Sequence, residues 1–199
     1  MNLQQIIKDL KAKEGLNNEE IAKRLGVNKT TIGRWLKGDV LHLQEEPARR
    51  LAEWLGYDVD SFLRGKNVSF SRPVLGVVKA GYNLFADQNY LGEEEVDYKD
   101  FQRGDYFLKV SGNSMIGSGI LDGSKVYVKK TTTLQNGEIG VFMVGEEVTV
   151  KKVIFRAGMM ILEASNPEVE NRYFSQKEID ELPVRILGKV LYCKIDFSH

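Results

Sequence analysis

Cysteine occurs once in the 199 residues, at Cys193, so the chain can close no disulfide on itself, which fits a reducing compartment. Cys193 lies in the apolar run Val190-Leu191-Tyr192-Cys193, which marks it as an inert core thiol. Histidine occurs twice, at His42 and His199, and with one cysteine these give no metal-ligand spacing, so neither a metal nor a cofactor is expected. No apolar run approaches the roughly 18 residues that span a bilayer. The start Met1-Asn2-Leu3-Gln4-Gln5 lacks the basic and apolar segments of a signal peptide. A cytoplasmic protein with no membrane contact is the expectation. Net charge is missing too: 28 lysines and arginines balance 28 acidic residues. That neutrality hides a local excess, because residues 1–37 carry eight basic against four acidic side chains. Such an excess fits a polyanion partner, or merely a solvated basic surface.

What is present supports folded cores, with 42% hydrophobic residues, and it changes texture near residue 66. Before that point apolar residues recur at helical spacing, as in Ile6, Ile7, Leu10 and Ile21, Ala22, Leu25. After it come short β-prone runs: Tyr106–Val110, Lys125–Val128, Ile139–Val144 and Val148–Ile154. Gly145-Glu146 and Asn136-Gly137 read as turns between strands. The polar stretch Arg64–Pro73 has no helical period and reads as a linker. The expected organisation is a helical domain at 1–65, a linker at 66–73 and a mostly-β domain at 74–199, a multidomain α and β chain.

In the first half a helix is expected over 3–13. Asn17 is placed to accept from first-turn N–H groups and Glu20 to reach back, starting a second helix that runs to Leu25 and stops at Gly26. Asn28 caps a third helix from Lys29 to about Lys37, and two further helices at 47–56 and 58–63 close the bundle. Helical phase turns Ile32, Trp35 and Leu36 inward. Lys29, Thr30, Gly33, Arg34 and Lys37 turn outward, a face suited to the major groove, where Arg and Lys meet guanine acceptors and Thr meets a thymine methyl. Asn28, Lys29, Thr30, Thr31, Arg34 and Lys37 are therefore candidate DNA contacts, and Asn18 a candidate phosphate contact. The stretch Leu16–Gly38, with Ala22, Gly26, Val27, Ile32 and Trp35 in register, resembles the lambda-repressor-like, or Xre-type, helix-turn-helix family. The alternative is a packing module whose caps are only caps.

Three features stand out in the second half, each with an ordinary structural reading beside it. Ser111-Gly112-Asn113-Ser114-Met115 follows a strand, and a serine in such a turn can project its hydroxyl while nearby N–H groups converge on one spot; it can equally be a plain turn. Lys151 shares a strand face with Thr149 and Val153. Desolvation there would lower its pKa and make it a base for a serine, though an exposed lysine guarding a strand has the same sequence. Lys152 points the other way. Val74–Gly81 is an extended run ending in two small residues, Ala80 and Gly81, open to close approach by another backbone, or simply a strand before a glycine turn.

In that order, Leu75–Gly81, Val110–Met115 with Asp122-Gly123, and Val148–Lys152 resemble the LexA and phage-repressor family of S24 peptidase-like domains. The resemblance implies a mostly-β LexA/signal-peptidase-like fold, Ser114 as nucleophile and Lys151 as general base. It further implies an oxyanion hole from the backbone at Asn113 and Ser114, and cleavage between Ala80 and Gly81. It implies a homodimer, to which the run Val184–Ile195 contributes, a double-stranded DNA operator as partner, and a RecA filament as co-protease in the response to DNA damage. The lambda-like reader points to a phage or mobile-element repressor. One rival is a non-cleaving repressor whose second domain only dimerises or binds an antirepressor. Another is a peptidase acting on other proteins.

Overall fold

The computed structural model describes residues 2–40, 42–76, 89–181 and 184–196. The chain divides into two compact units, 1–69 and 70–199. Among the described residues no helix is long and apolar enough to cross a membrane.

The first unit is built of helices α1 (Leu3–Glu14), α2 (Asn18–Leu25), α3 (Lys29–Lys37), α4 (Glu45–Leu55) and α5 (Val59–Leu63). Their ends follow from capping chemistry. The Asn17 side chain accepts from the N–H groups of Glu19 and Glu20, and the Glu20 carboxylate accepts from Asn17 N–H at 2.7 Å, a reciprocal box at the start of α2. Gly26 then takes φ 69°, the left-handed conformation that ends α2 and turns the chain into α3. Asn28 occupies the cap position of α3, but its side chain makes no capping hydrogen bond. Its amide is thereby left exposed rather than spent on the helix. The inward stripes of α1, α2 and α3 meet in one core containing Ile6, Ile7, Leu10, Ile21, Leu25, Ile32 and Trp35, closed by Leu51 of α4. Each such side chain contributes about 1.5–3 kcal/mol by leaving water.

Among its described residues the second unit is a nine-stranded sheet with two short α-helices, α6 (Tyr98–Arg103) and α7 (Gln176–Glu181). Its strands are β1 (Phe70–Leu75), β2 (Tyr90–Val96), β3 (Tyr106–Lys109), β4 (Lys125–Lys129), β5 (Ile139–Val144), β6 (Glu147–Arg156), β7 (Met159–Glu163), β8 (Arg172–Ser175) and β9 (Val184–Lys194). The order across the sheet is β2-β1-β3-β4-β9-β5-β6-β7-β8. Pairing is antiparallel except where β1 runs parallel to β3. The β5–β6 hairpin turns on Gly145-Glu146, with Gly145 at φ 61°, so Val144 pairs Glu147 and Gly140 pairs Lys151. That register fixes which way Lys151 points.

The stretch expected to be linker through Pro73 enters the sheet at Phe70. The sequence looks polar there because the anchoring is done by one ring and one stem. Phe70 is buried against Tyr98 and Phe101, with ring centroids 5.1 and 5.3 Å away, and the Arg72 guanidinium lies 3.6 Å from the Phe101 ring. Pro73 is tolerated because β3 joins β1 only from Val74 onward, so no ladder bond on that side is lost.

Candidate catalytic site and candidate DNA interface

Ser114 is held by its neighbours on both sides. Preceding it, Val110 N–H bonds Ser124 O at 2.8 Å, Gly123 N–H bonds Val110 O at 2.9 Å and Gly112 N–H bonds the Asp122 carboxylate at 2.7 Å, closing a tight turn in which Gly112 takes φ 95°. Following it, Met115 is 1% exposed and packs with Leu108, Ile120, Val126 and Val141. A methionine driven into the core, worth about 2 kcal/mol, anchors the loop and leaves Ser114 at the surface of the sheet.

Lys151 reaches it from β6. Val153, on the same face, is fully buried, and Lys151 itself is 7% exposed. Its ammonium nitrogen lies 2.7 Å from Ser114 Oγ, 3.0 Å from Thr149 Oγ1 and 3.1 Å from Val150 O. Among the described residues no carboxylate forms an ion pair with it. Burial pushes the Lys151 ammonium below the ordinary lysine range; Glu147 pulls it back up and Arg172 pushes it further down. Glu147 and Arg172 face each other at 3.4 Å beside the lysine. Lys152, one residue on, points to the opposite face and pairs with Glu163 at 2.8 Å. Register and burial thus bring Ser114 and Lys151 together and separate Lys152 from them.

An open groove of about 490 Å³ passes over the pair, bounded by Val110 to Asn113, by Glu147 to Thr149 and by Val169, Glu170 and Arg172. The N–H groups of Asn113 and Ser114 donate to no acceptor among the described residues. Ala80 and Gly81 lie outside the described residues; β1 carries the chain as far as Leu75 on the way to them.

Ser165 and Asn166 were not signalled by the sequence reading. Ser165 N–H donates to Ser114 O at 2.8 Å, and Asn166 Nδ2 donates to Asn113 O at 3.1 Å. The only sequence trace is the polar run Ala164-Ser165-Asn166-Pro167 after an apolar strand, which looks like any turn.

In the helical unit, Asn28, Lys29, Thr30, Arg34 and Lys37 are exposed on or beside α3, and Thr31 is half-buried. Lys29 pairs loosely with Glu19 at 3.4 Å, both well exposed, a contact worth at most about 1 kcal/mol and readily exchanged for a phosphate. Asn18, half-buried at the start of α2, accepts from the Lys11 ammonium at 2.5 Å through its side-chain oxygen.

A family profile described as peptidase S24-like matches residues 73–191, more than half of the chain. The chain belongs to the peptidase S24-like family. Ser114 and Lys151 both lie inside the S24-like match. A helix-turn-helix profile matches residues 7–62, the helical unit. This S24-like chain is similar to the LexA repressor of Marinomonas sp. (strain MWYL1), 41% identical over 97 residues, 48% of this chain and 47% of that protein. It is similar to the LexA repressor of Exiguobacterium sp. (strain ATCC BAA-1283 / AT1b), 42% identical over 123 residues, 60% of this chain and 55% of the relative. With the LexA repressor of Anaeromyxobacter dehalogenans (strain 2CP-1 / ATCC BAA-258) it shares 36% over 144 residues, 68% and 61% respectively. The chain spans about half to three-fifths of the length of these relatives.

Proposed function

We propose that this chain is a DNA-binding transcriptional repressor that inactivates itself by cutting its own Ala80–Gly81 bond with Ser114 and Lys151. The observation that carries the cutting is the buried lysine 2.7 Å from a serine hydroxyl, with no carboxylate in ion-pair contact among the described residues. A lysine in that setting loses its proton more readily than one in water, and the neutral amine then accepts from Ser114 O–H. Oγ attacks the Ala80 carbonyl carbon as its proton passes to Lys151 Nζ. The resulting oxyanion is taken up by the N–H groups of Asn113 and Ser114. Collapse breaks the Ala80–Gly81 bond, Lys151 returns the proton to the Gly81 nitrogen, and an ester to Ser114 remains. Water, deprotonated by Lys151, hydrolyses that ester. Because the substrate is part of the same chain, high affinity for it is unnecessary.

The DNA reading rests on the exposed polar and basic face of α3. Two readers carried by a homodimer would bind a two-fold related operator with high effective concentration, and a cut at Ala80–Gly81, within the second unit, would detach the readers from the remainder that dimerises and end that gain. RecA bound to single-stranded DNA is the trigger, in the cytoplasm, in a response to DNA damage, and a phage or mobile element is the setting. A gel shift on DNA from the protein's own upstream region tests the reader. Arg34→Ala is expected to cost about 1–3 kcal/mol and relax discrimination at one base pair, while Lys29→Ala weakens all sequences alike and lowers the salt slope by about one. A wild-type chain that shifts no DNA in a salt-sensitive, sequence-dependent way contradicts the repressor reading.

A further inference from the structure

The segment after β7 does more than connect it to β8. Four hydrogen bonds join it to the serine loop: Ser165 N–H to Ser114 O at 2.8 Å, Gly117 N–H to Ser165 O at 2.7 Å, Ser118 Oγ to Ser165 Oγ at 2.6 Å and Asn166 Nδ2 to Asn113 O at 3.1 Å. The approach is as close as chemistry permits, since a Cβ at Gly117 would stand 2.2 Å from Ser165 O. Asn166 is 4% exposed, so both ends of its amide must be satisfied inside the protein. They are. Its Oδ1 accepts from Glu168 N–H at 3.1 Å while its Nδ2 faces the Asn113 carbonyl. A flipped amide would set oxygen against oxygen and nitrogen against N–H, so only one orientation is allowed.

The consequence lies in the peptide plane. Asn113 C=O and Ser114 N–H belong to one planar trans unit and point in opposite directions. Whatever holds the carbonyl aims the N–H. Asn113 O accepts from Asn166 Nδ2 and, at 3.3 Å, from Ile116 N–H. The second bond is local to the loop; the first comes from 53 residues away and ties the plane to a separate element. We infer that Asn166 is a positioning residue for the proposed self-cutting: by holding the Asn113 carbonyl it aims the Ser114 N–H at the oxyanion that forms on the cut bond. It acts on the developing negative charge and not on the lysine, so it should govern the maximal rate without shifting the pH at which cutting begins. This inference rests on the Ser114–Lys151 reading.

The full-length protein, incubated across a pH series and followed by gel densitometry, tests it with two variants. Asn166→Ala removes the whole amide. Asn166→Asp keeps the size and the acceptor for Glu168 N–H but replaces the donor to Asn113. Both are expected to cut about 10- to 100-fold more slowly at the high-pH plateau, somewhat less than outright loss of an oxyanion donor; Asn166→Ala should keep the pH midpoint of wild type and a melting temperature within a few degrees of it, whereas Asn166→Asp, with a carboxylate facing the Asn113 carbonyl, should melt lower. Plateau rates within twofold of wild type overturn the inference. So does an Asn166→Ala midpoint that moves with the rate, which would put Asn166 on the lysine, or a loss of cutting that merely tracks loss of the melt in both variants. A wild-type chain that does not cut in a Ser114-dependent way defeats the underlying reading instead, and that control separates the two failures.

Discussion

Ser114→Ala is expected to stop self-cutting, slowing it by on the order of 10⁴-fold or more, and Lys151→Ala to do the same. The two groups form one device, so the double variant should be no slower than either single one. The physical reason is the 2.7 Å contact between Lys151 Nζ and Ser114 Oγ, across which the hydroxyl proton passes to the neutral amine. Without the amine the hydroxyl is a poor nucleophile, and without the hydroxyl the amine has nothing to activate. Lys152→Ala is the internal control. Its ammonium pairs with Glu163 on the other face of β6, both about one-third exposed, so it should cut at the wild-type rate and lose under about 1 kcal/mol of stability. The check is a time course of intact chain at alkaline pH. A Ser114→Ala protein that cuts the same bond at a comparable rate would dismiss the pair.

Burial lowers the Lys151 pKa in the folded chain below its unfolded value. The unfolded state therefore binds more protons between those two values, so folding stability rises with pH through that window. Below the lowered value the cost of burying the ammonium is present in full; above the ordinary lysine range it vanishes. Lys151→Met keeps the length and removes the charge. It should melt higher than wild type at pH 7 by about 4 °C per kcal/mol relieved, with the gap closing above about pH 10, and it should not cut. The same desolvation that makes the lysine a base makes it a structural burden, so activity and stability trade against each other at this residue. Calorimetry at pH 7 and pH 10.5 checks this. A lower melting temperature for the variant at pH 7 would mean that the lysine's hydrogen bonds to Ser114, Thr149 and Val150 outweigh its desolvation.

The helical unit was almost wholly legible in the sequence because its signals are local. The Asn17–Glu20 box, the Gly26 stop and the 3.6-residue stripes each need only a few neighbouring residues. Asn28 is the exception: the residue type fits a cap, but its side chain makes no capping bond. In the second unit, strands rich in β-branched and other apolar residues and joined by a two-residue turn, such as β5 and β6, were readable. The entry of β1 at Phe70 was not, because it depends on rings contributed by α6, some 30 residues on. Period-2 alternation along β6 placed Lys151 on the face of Thr149 and Val153, and only the family resemblance joined it to Ser114; their 2.7 Å contact depends on Met115 seating in the core and on the β5–β6 register. Asn166 was invisible for the same reason. Its role is a hydrogen bond across 53 residues, and nothing in Ala164-Ser165-Asn166-Pro167 distinguishes it from a turn.

Self-cutting at the Ala80–Gly81 bond is measured by intact-mass spectrometry of the purified full-length chain after incubation at alkaline pH, with and without RecA assembled on single-stranded DNA. The expected result is two fragments, one ending at Ala80 and one beginning at Gly81, formed faster with RecA and absent from Ser114→Ala. A chain that stays intact under both conditions, or a cut elsewhere that survives Ser114→Ala, would contradict the account.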